Sequence, residues 1–331
     1  MISTAKLVSA TRAAYPIRGG FTISRGSKRF AEVVEAVLEA TLPDGRNVRG
    51  WGECVPYARY GESPDQVLAQ IQALGPLRNR QELQSLMPAG AARNALDCAF
   101  WDLESKAAGL PAWRLANLPK PTPVATAFTI SLAAPETMAE AAKVADKPLL
   151  KLKLGAGLED VERVAAVRQA APDATLVVDA NEGWTMAQLT EIAPKLAEFH
   201  VELIEQPLPA GQDDALSNYR SPIPIGADES CHGPESLTAL AGKYQCVNIK
   251  LDKTGGLTAA LAMKSAAQEA GFRVMVGCMV ATSLSMAPAF LLTPGADFVD
   301  LDGPLLLEYD RPDGIAYDGA WMSPPTAALW G

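Results

Sequence analysis

The segment LLKLKLG (residues 149–155) places two lysines, Lys151 and Lys153, inside an otherwise apolar stretch. In an extended strand the side chains alternate between two faces, so both lysines share one face and the leucines between them share the other. Lysines on a strand often do no more than cover an exposed sheet edge. The segment alone therefore leaves a solvated face and a functional face open, and the rest of the chain must distinguish them.

Short apolar runs of this kind recur along the chain after residue 120, separated by alanine-rich segments whose apolar residues have helical spacing. The strand candidates are 126–131, 149–155, 175–181, 201–207, 224–230, 246–253, 273–279 and 298–304. Eight such strand and helix units favour a TIM-type barrel over an open doubly wound sheet, which usually has fewer strands. Neither GxGxxG nor GxxxxGK[ST] follows the first strands, which disfavours nucleotide binding.

The first part of the chain, residues 1–120, has a different pattern. Residues 5–13 and 29–53, with their Asp-Gly turn, predict an antiparallel hairpin or meander, although residues 31–40 also fit a helix. Residues 91–109 predict a helix with one apolar stripe and a glycine stop. The proline-rich segment 118–124 suggests a boundary, so we expect an α+β domain followed by an α/β barrel over 121–305.

Bulk composition restricts the class of function. The chain has 331 residues, a net charge of -9 and a pI near 4.9, which disfavour nucleic acid and anionic membranes as partners. Five cysteines without a CxxC pair predict neither a disulfide framework nor a structural zinc site. The beginning of the sequence does not resemble a signal peptide, and no run approaches the ~20 apolar residues of a membrane span. We expect a cytoplasmic protein with a small-molecule substrate.

Charged and amide side chains cluster at the C-terminal ends of the strand candidates, where TIM-type barrels carry their chemistry. They are Lys151 and Lys153, Asp179 and Asn181, Glu205, Asp228 and Glu229, Lys250 and Asp252, and Asp300 and Asp302. The alternate positions, such as Leu152, Val178 and Ile204, are apolar and suit packing against helices. The pattern therefore predicts that the charged side chains face the barrel mouth.

Asp179, Glu205 and Asp228 end three successive strands, which predicts an oxygen-ligand site for a hard divalent cation. Carboxylates packed this closely would repel one another without a cation, which would raise their pKa values. We expect Mg²⁺, which takes few carboxylates and keeps positions for water and substrate. The two histidines, His200 and His232, are too few for a barrel zinc hydrolase.

Lys153 and Lys250 end the second and sixth strands, which stand opposite each other in a ring of eight. Two opposed amines can add and remove a proton on either face of one carbon. A free lysine has a pKa of ~10.4 and is a poor base at neutral pH. We expect the like charge of Lys151, together with the cation, to lower the pKa of Lys153.

These segments together resemble the enolase superfamily, in its muconate-lactonizing subgroup. The resemblance rests on KLKLG, VVDANEGW, LIEQPLP, IGADESC, VNIKLDKTGG and FVDLDGP, and in the first region on RGWGECVPYARYGES and PAGAARNALDCAFWDLESK. It implies a (β/α)7β barrel and an N-terminal α+β capping domain that the C-terminal segment, 306–331, completes. The Asp300-Leu301-Asp302 segment resembles dipeptide epimerases, most closely those acting on L-Ala-D/L-Glu from murein peptides.

The resemblance also implies roles for the site residues. Lys153 and Lys250 would be the acid/base pair, and one Mg²⁺ on Asp179, Glu205 and Asp228 would stabilise an enediolate. Further implied groups are Asp300 and Asp302 for the substrate α-ammonium, Arg25 for a glutamate side chain, Asp252 and Lys151 as auxiliary electrostatic groups, and Cys278 and Met279 as substrate contacts. Val280 stands where this family often has an acidic residue.

Other functions of the same scaffold remain alternatives. They are o-succinylbenzoate synthesis, N-acylamino acid racemisation and cycloisomerisation, and a different class would be a non-catalytic binding protein that kept the fold. An anionic substrate without an ammonium group would be repelled by Asp300 and Asp302, which favours dipeptide epimerisation. A homo-oligomeric assembly is compatible with each of these functions.

Overall fold

The N-terminal part of the molecule is an antiparallel sheet covered by helices. The computed structural model describes residues 4–331. The elements of this part are β1 (Lys6–Ile23), β2 (Gly26–Thr41), β3 (Asn47–Cys54), α1 (Pro64–Gln72), α2 (Arg80–Leu86), α3 (Ala91–Ala108) and α4 (Ala112–Leu115). The strands pair in the order β1-β2-β3. Residues 31–40 are therefore the centre of a strand, because β2 lies between two hydrogen-bonded neighbours that satisfy its backbone.

The second part is a barrel of parallel strands with helices between most of them. Its elements are β4 (Val124–Ala125), β5 (Phe128–Ile130), α5 (Pro135–Ala145), β6 (Leu149–Lys153), α6 (Asp160–Ala170), β7 (Thr175–Asp179), α7 (Met186–Glu198), β8 (Val201–Glu205), β9 (Ile225–Ala227), α8 (Leu237–Leu240), β10 (Cys246–Ile249), α9 (Leu251–Thr254), α10 (Leu257–Glu269), β11 (Arg273–Gly277), α11 (Ser283–Phe290) and β12 (Phe298–Asp300). Strands β5 to β12 pair consecutively, and Ala127 N donates to Val299 O at 2.8 Å, which links the two ends of the sheet.

The predicted fold class is confirmed, and all eight strand candidates are strands, each ending earlier than predicted. The largest differences are in the sixth and eighth candidates, of which the sixth continues into a helix. The backbone leaves the strand after Ile249, and α9 begins at Leu251 with Lys250 as its N-cap residue. The predicted residues that lie beyond the observed strand ends carry more than half of the polar side chains expected at the barrel mouth. They lie outside the strands because the chain turns away from the sheet where the cavity begins.

The inner face of the barrel is apolar at its floor and polar at its mouth. A buried cluster of inward-facing side chains forms the floor: Val177, Leu203, Cys246, Met275 and Phe298, with Leu149 packed against it. Two residues further along five of the same strands, on the same face, the side chains are polar: Lys151, Asp179, Glu205, Asn248 and Asp300. On β11 the corresponding residue is Gly277, where a Cβ would lie 2.3 Å from Asn248 Oδ1. The alternation of the strands thus places the polar groups in one layer above a dry floor.

The C-terminal segment returns to the N-terminal part. Ala112 N donates to Gly331 O at 2.9 Å, and Trp330 Nε1 donates to Cys98 O at 3.0 Å. The short strand β13 (Tyr317–Asp318) pairs with β14 (Trp321–Met322), which in turn pairs with β4. The expected boundaries at residues 120 and 305 stay predictions. Among the helices of residues 4–331, none combines the length and apolar character needed to cross a membrane.

The predicted helix over 91–109 is confirmed as α3, and it lies directly on β3 through two glycines. Gly109 has φ of 64° and ends the helix. A Cβ at Gly52 would lie 2.0 Å from Ala95 O, and one at Gly50 would lie 2.1 Å from Ala99 O. Both contacts are with helix backbone, which cannot move aside. The close approach of helix and sheet therefore requires glycine at both positions.

We predict that Gly52→Ala lowers the free energy of unfolding by about 2 kcal/mol or more, because the new methyl group must push α3 off the sheet. Gly75→Ala is the matched control, since a Cβ at exposed Gly75 meets no atom within 4 Å. Thermal unfolding followed by circular dichroism measures both variants. Equal midpoints for the two variants would contradict the packing account.

Candidate active site

A cavity of about 840 Å³ lies between the barrel mouth and the N-terminal part. Barrel residues that line it include Lys153, Asp228, Lys250, Asp300, Asp302, Cys278 and Met279. The N-terminal part contributes residues from the tip of the β1–β2 hairpin, including Arg25, and from the segment 55–60 after β3. The cavity therefore brings together residues that are far apart in the sequence, including most of the predicted site residues.

The three acids expected to hold a cation lie together at one side of this cavity. Oxygens of Asp179, Glu205 and Asp228 all lie within 4.8 Å of one another, and the three residues are at most 2 % exposed. Asp179 and Glu205 are register partners at the ends of β7 and β8, and Asp228 directly follows β9. Neighbouring parallel strands thus place the three carboxylates side by side, as the sequence predicted.

Lysines surround the three carboxylates. Lys153 Nζ donates to Asp179 Oδ2 at 2.6 Å, and Lys250 Nζ donates to Asp228 Oδ2 at 2.7 Å. Burial would raise the pKa of Asp228, but Lys250, Lys253 and Lys151 outweigh it and hold that pKa well below 3.8. Burial would also raise the pKa of Asp179, but Lys153 and Lys151 outweigh it and lower that pKa. These two carboxylates are therefore ionised at neutral pH.

The carboxylate cluster fits a hard divalent cation. All its donors are carboxylate oxygens, the ligands that Mg²⁺ prefers. Glu205 Oε1 accepts a hydrogen bond from Asn248 Nδ2 at 2.6 Å, whereas the buried Oε2 accepts none from the described residues, although Lys151 Nζ lies 2.6 Å away. Burial and the negative charge of Asp179 raise the pKa of Glu205. A cation beside Oε2 would remove this unfavourable burial of charge.

The two candidate bases approach the cluster from opposite sides of the barrel. Lys153 is on β6 and Lys250 follows β10, and these strands are four apart in the order of eight. Both side chains are nearly buried, with 7 % and 6 % of the residues exposed. Burial lowers the pKa of Lys250, but Asp228 and other carboxylates outweigh it and raise that pKa above 10.5. Lys250 is therefore protonated at neutral pH beside these carboxylates.

Lys151 is directed into the acids. Its Nζ donates to Asp300 Oδ2 at 2.7 Å and also lies 3.5 Å from Asp179 Oδ2. Burial lowers the pKa of Lys151, yet the carboxylates, led by Asp300, hold it well above its ordinary value. Lys151 is therefore a permanent cation of the polar layer. The effect expected of it on Lys153 stays a prediction.

Asp300 and Asp302 form a second, smaller acidic pair on the cavity wall. Asp302 Oδ2 accepts from Thr129 N at 2.6 Å, and buried Asp300 Oδ1 has no hydrogen-bond partner among the described residues. Burial, followed by the charge of Asp300, raises the pKa of Asp302 to about 7. Two close carboxylates with spare acceptor capacity suit an organic cation such as an ammonium group.

The remaining predicted residues differ in their position. Arg25, Cys278, Met279 and Val280 line the cavity, and Arg25 already contacts Glu229 and Glu182. Asp252 is not among the lining residues. Its Oδ1 accepts from Val55 N at 3.0 Å and from Asn94 Nδ2 at 2.8 Å, so it ties α9 to the N-terminal part. The auxiliary electrostatic role expected of Asp252 stays a prediction.

Several residues of the site were not found by sequence reasoning. Lys253 Nζ donates to Asp228 Oδ1 at 2.6 Å and to Asn248 O at 2.8 Å, so it fixes the third acid. Gln206 Oε1 accepts from Asp228 N at 2.9 Å and from Ser230 N at 3.1 Å, which holds the loop after β9. The available signal was the place of these two residues in the polar ends of LIEQP and VNIKLDK.

Comparisons with known proteins agree with this geometry. Residues 5–116 match the mandelate racemase / muconate lactonizing enzyme N-terminal domain, and residues 136–326 match the enolase C-terminal domain-like family. The chain is 46 % identical to an L-Ala-D/L-Glu epimerase of Escherichia coli K12, over 92 % of this chain and 95 % of the relative. It is 48 % identical to an N-acetyl-D-glutamate racemase of Pseudoalteromonas, over 85 % and 91 % of the two chains.

A solved structure is also similar to this chain over its full length. It is a crystal structure of an enolase family member from Agrobacterium tumefaciens with homology to dipeptide epimerases, with bound sodium and L-Ala-L-Glu. The two proteins are 48 % identical, with a TM-score of 0.93 over 99 % of this chain and 100 % of the other. Fold, polar layer and sequence agree: the chain belongs to the mandelate racemase / muconate lactonizing enzyme family of the enolase superfamily.

Proposed function

We propose that this protein is a Mg²⁺-dependent dipeptide epimerase that inverts the α-carbon of the C-terminal residue, with L-Ala-D/L-Glu as substrate. The observation that carries the proposal is the pair of buried amines, Lys153 and Lys250, on opposed strands beside one carboxylate cluster. A 1,1-proton transfer needs an acid and a base on opposite faces of one carbon, and this arrangement supplies both.

The lysines exchange their roles with the direction of the reaction. The neutral amine removes the α-proton from one face, and the ammonium group on the other side delivers a proton to the opposite face. Asp179, Glu205 and Asp228 would hold Mg²⁺, which supplies positive charge where negative charge develops on the substrate carboxylate. Lys151, permanently charged in the same layer, adds to this stabilisation.

Recognition of the dipeptide uses groups on both sides of the cavity. Asp300 and Asp302 bind the α-ammonium, a role supported by the buried Asp300 Oδ1, which has no hydrogen-bond partner among the described residues. Arg25, at the hairpin tip, binds the glutamate side chain. The named activity of the Escherichia coli relative and the L-Ala-L-Glu in the Agrobacterium structure support this substrate.

A second candidate is racemisation of N-acetylglutamate, favoured by the similarity to the Pseudoalteromonas racemase. Both substrates carry glutamate at the reacting carbon and differ in the group attached to its nitrogen. An acetyl group is neutral and would leave the free acceptor of Asp300 without a donor from the substrate, which favours the dipeptide. We further propose that the enzyme acts on murein-derived dipeptides in the cytoplasm, where its five free thiols stay reduced. A homo-oligomer is compatible with this role.

We predict that Lys153→Ala and Lys250→Ala each abolish epimerisation of L-Ala-L-Glu, lowering kcat by a factor on the order of 10³. One remaining lysine can still exchange the α-hydrogen on its own face, so each variant should label one epimer without inverting it. Mass spectrometry and chiral chromatography in D₂O measure exchange and inversion separately.

Lys195→Ala serves as the control, because this exposed lysine forms an ion pair with Glu191 on the same helix, α7. Full inversion by either active-site variant would show that the two-base scheme is wrong.

Asp302→Asn should raise KM for L-Ala-L-Glu by about tenfold or more, since a charged hydrogen bond to the ammonium is lost. Turnover of N-acetyl-L-glutamate, which has no ammonium, should be unchanged or improved. Steady-state kinetics with both substrates measure the change, and exposed Asp214→Asn is the control. An equal loss with both substrates would refute the ammonium assignment.

Removal of divalent cations with EDTA should stop deuterium exchange, and Mg²⁺ should restore it. Binding of Mg²⁺ also stabilises the fold. At a Mg²⁺ concentration of a hundred times Kd, the free energy of unfolding of the wild type should rise by about 2.7 kcal/mol. Thermal unfolding with and without Mg²⁺ measures this gain, which Asp228→Asn should lose. Full activity in EDTA, or an undiminished gain in the variant, would contradict the cation site.

A further inference from the structure

A single glutamate of the barrel, Glu182, joins two separate segments that cover the cavity. Its Oε2 accepts from Arg25 at 2.9 Å, at the tip of the β1–β2 hairpin. Both of its oxygens accept from Arg59, at 2.8 and 2.7 Å, in the segment after β3. Only 7 % of the side chain is exposed. Glu182 is therefore the common anion of two arginines from different parts of the chain.

The backbone at this position is held in an uncommon conformation. Asn181 and Glu182 both have positive φ, 45° and 68°, although neither is glycine. Such residues persist where surrounding contacts over-determine them. Here Glu182 N donates to Gln206 O at 2.8 Å, and its Oε1 also accepts from Ala210 N at 2.8 Å. The barrel thus fixes the direction of the carboxylate independently of the two arginines.

Besides two hydrogen bonds between Thr22 and residues 131–132, the hairpin tip has few other polar contacts with the barrel. Ser24 Oγ and Arg25 NH1 donate to Asn181 O at 2.8 and 2.7 Å, and Arg25 NH2 donates to Glu229 Oε1 at 2.6 Å. Within the N-terminal part, Arg25 NH2 also donates to Tyr57 OH at 2.9 Å. The barrel partners of Arg25 are therefore Glu229 and residues 181 and 182.

We propose that Glu182 is a positioning residue that latches both covering segments over the cavity and so sets the affinity for the acidic dipeptide. The inference rests on the proposed function, in which Arg25 binds the substrate side chain. A guanidinium group held in one direction loses less conformational freedom on binding than a mobile one. Glu182 contributes to substrate binding and not to the proton transfers. Its loss should therefore weaken binding and leave the rate of proton transfer unchanged.

Glu182→Gln tests this proposal, because it keeps the size of the side chain and removes the charge that both arginines share. KM for L-Ala-L-Glu should rise by about tenfold, with kcat within about twofold of wild type. Arg59→Gln should act in the same direction, and the double variant should lose less than the product of the two effects. Glu191→Gln, an exposed glutamate on α7, is the matched control.

A second measurement does not depend on the activity. Trypsin cleavage after Arg25, Lys28 or Arg29, followed by mass spectrometry, reports whether the hairpin tip stays on the barrel. Glu182→Gln should be cut several-fold faster than wild type and Glu191→Gln, with an unchanged unfolding midpoint.

The two measurements separate the possible failures. A wild type that does not epimerise L-Ala-L-Glu would refute the proposed function, and the trypsin rates would still decide on Glu182. Unchanged cleavage rates would overturn the latch, and so would a KM equal to or below that of wild type.

Discussion

Three carboxylates buried within a few ångströms of one another cannot all stay ionised unless positive charge lies beside them. In this protein Asp179, Glu205 and Asp228 meet that requirement through lysine amines at 2.6 to 2.7 Å. Transfer of an unpaired charge into a protein interior costs several kcal/mol, so acids and lysines must fold together. The lysines thus offset much of the repulsion between the acids, while burial and Asp179 still raise the pKa of Glu205, where a divalent cation would add positive charge.

The fold produces this cluster by simple alternation. Inward-facing positions of the barrel strands are apolar near the floor and polar two residues later, so one layer is dry and the next is charged. Parallel pairing brings the ends of neighbouring strands to the same height, which aligns Lys153 with Asp179 and Asp179 with Glu205. The N-terminal part then covers this layer and leaves a cavity rather than an open mouth. The site therefore lies at the level where the inward-facing side chains of the strands change from apolar to polar.

Sequence reasoning succeeded where the signal was local. The period of two in the strands identified the barrel, the acid trio and both candidate bases, and the stripe with Gly109 identified α3. It failed where partners are distant in the chain. Residues 31–40 carry apolar positions compatible with either helix or strand, and only pairing with β1 and β3 decides between them. The links from Asp252 to Val55 and from Arg25 to Glu182 join residues more than 150 positions apart, which no local pattern records.

A crystal structure with Mg²⁺ and L-Ala-L-Glu bound tests the central claim most directly. The account predicts a cation held by Asp179, Glu205 and Asp228 at the 2.0 to 2.1 Å distances typical of Mg²⁺. It also predicts that the amines of Lys153 and Lys250 lie on opposite faces of the glutamate α-carbon. Both amines on one face of that carbon, or a cation bound away from the three acids, would contradict it.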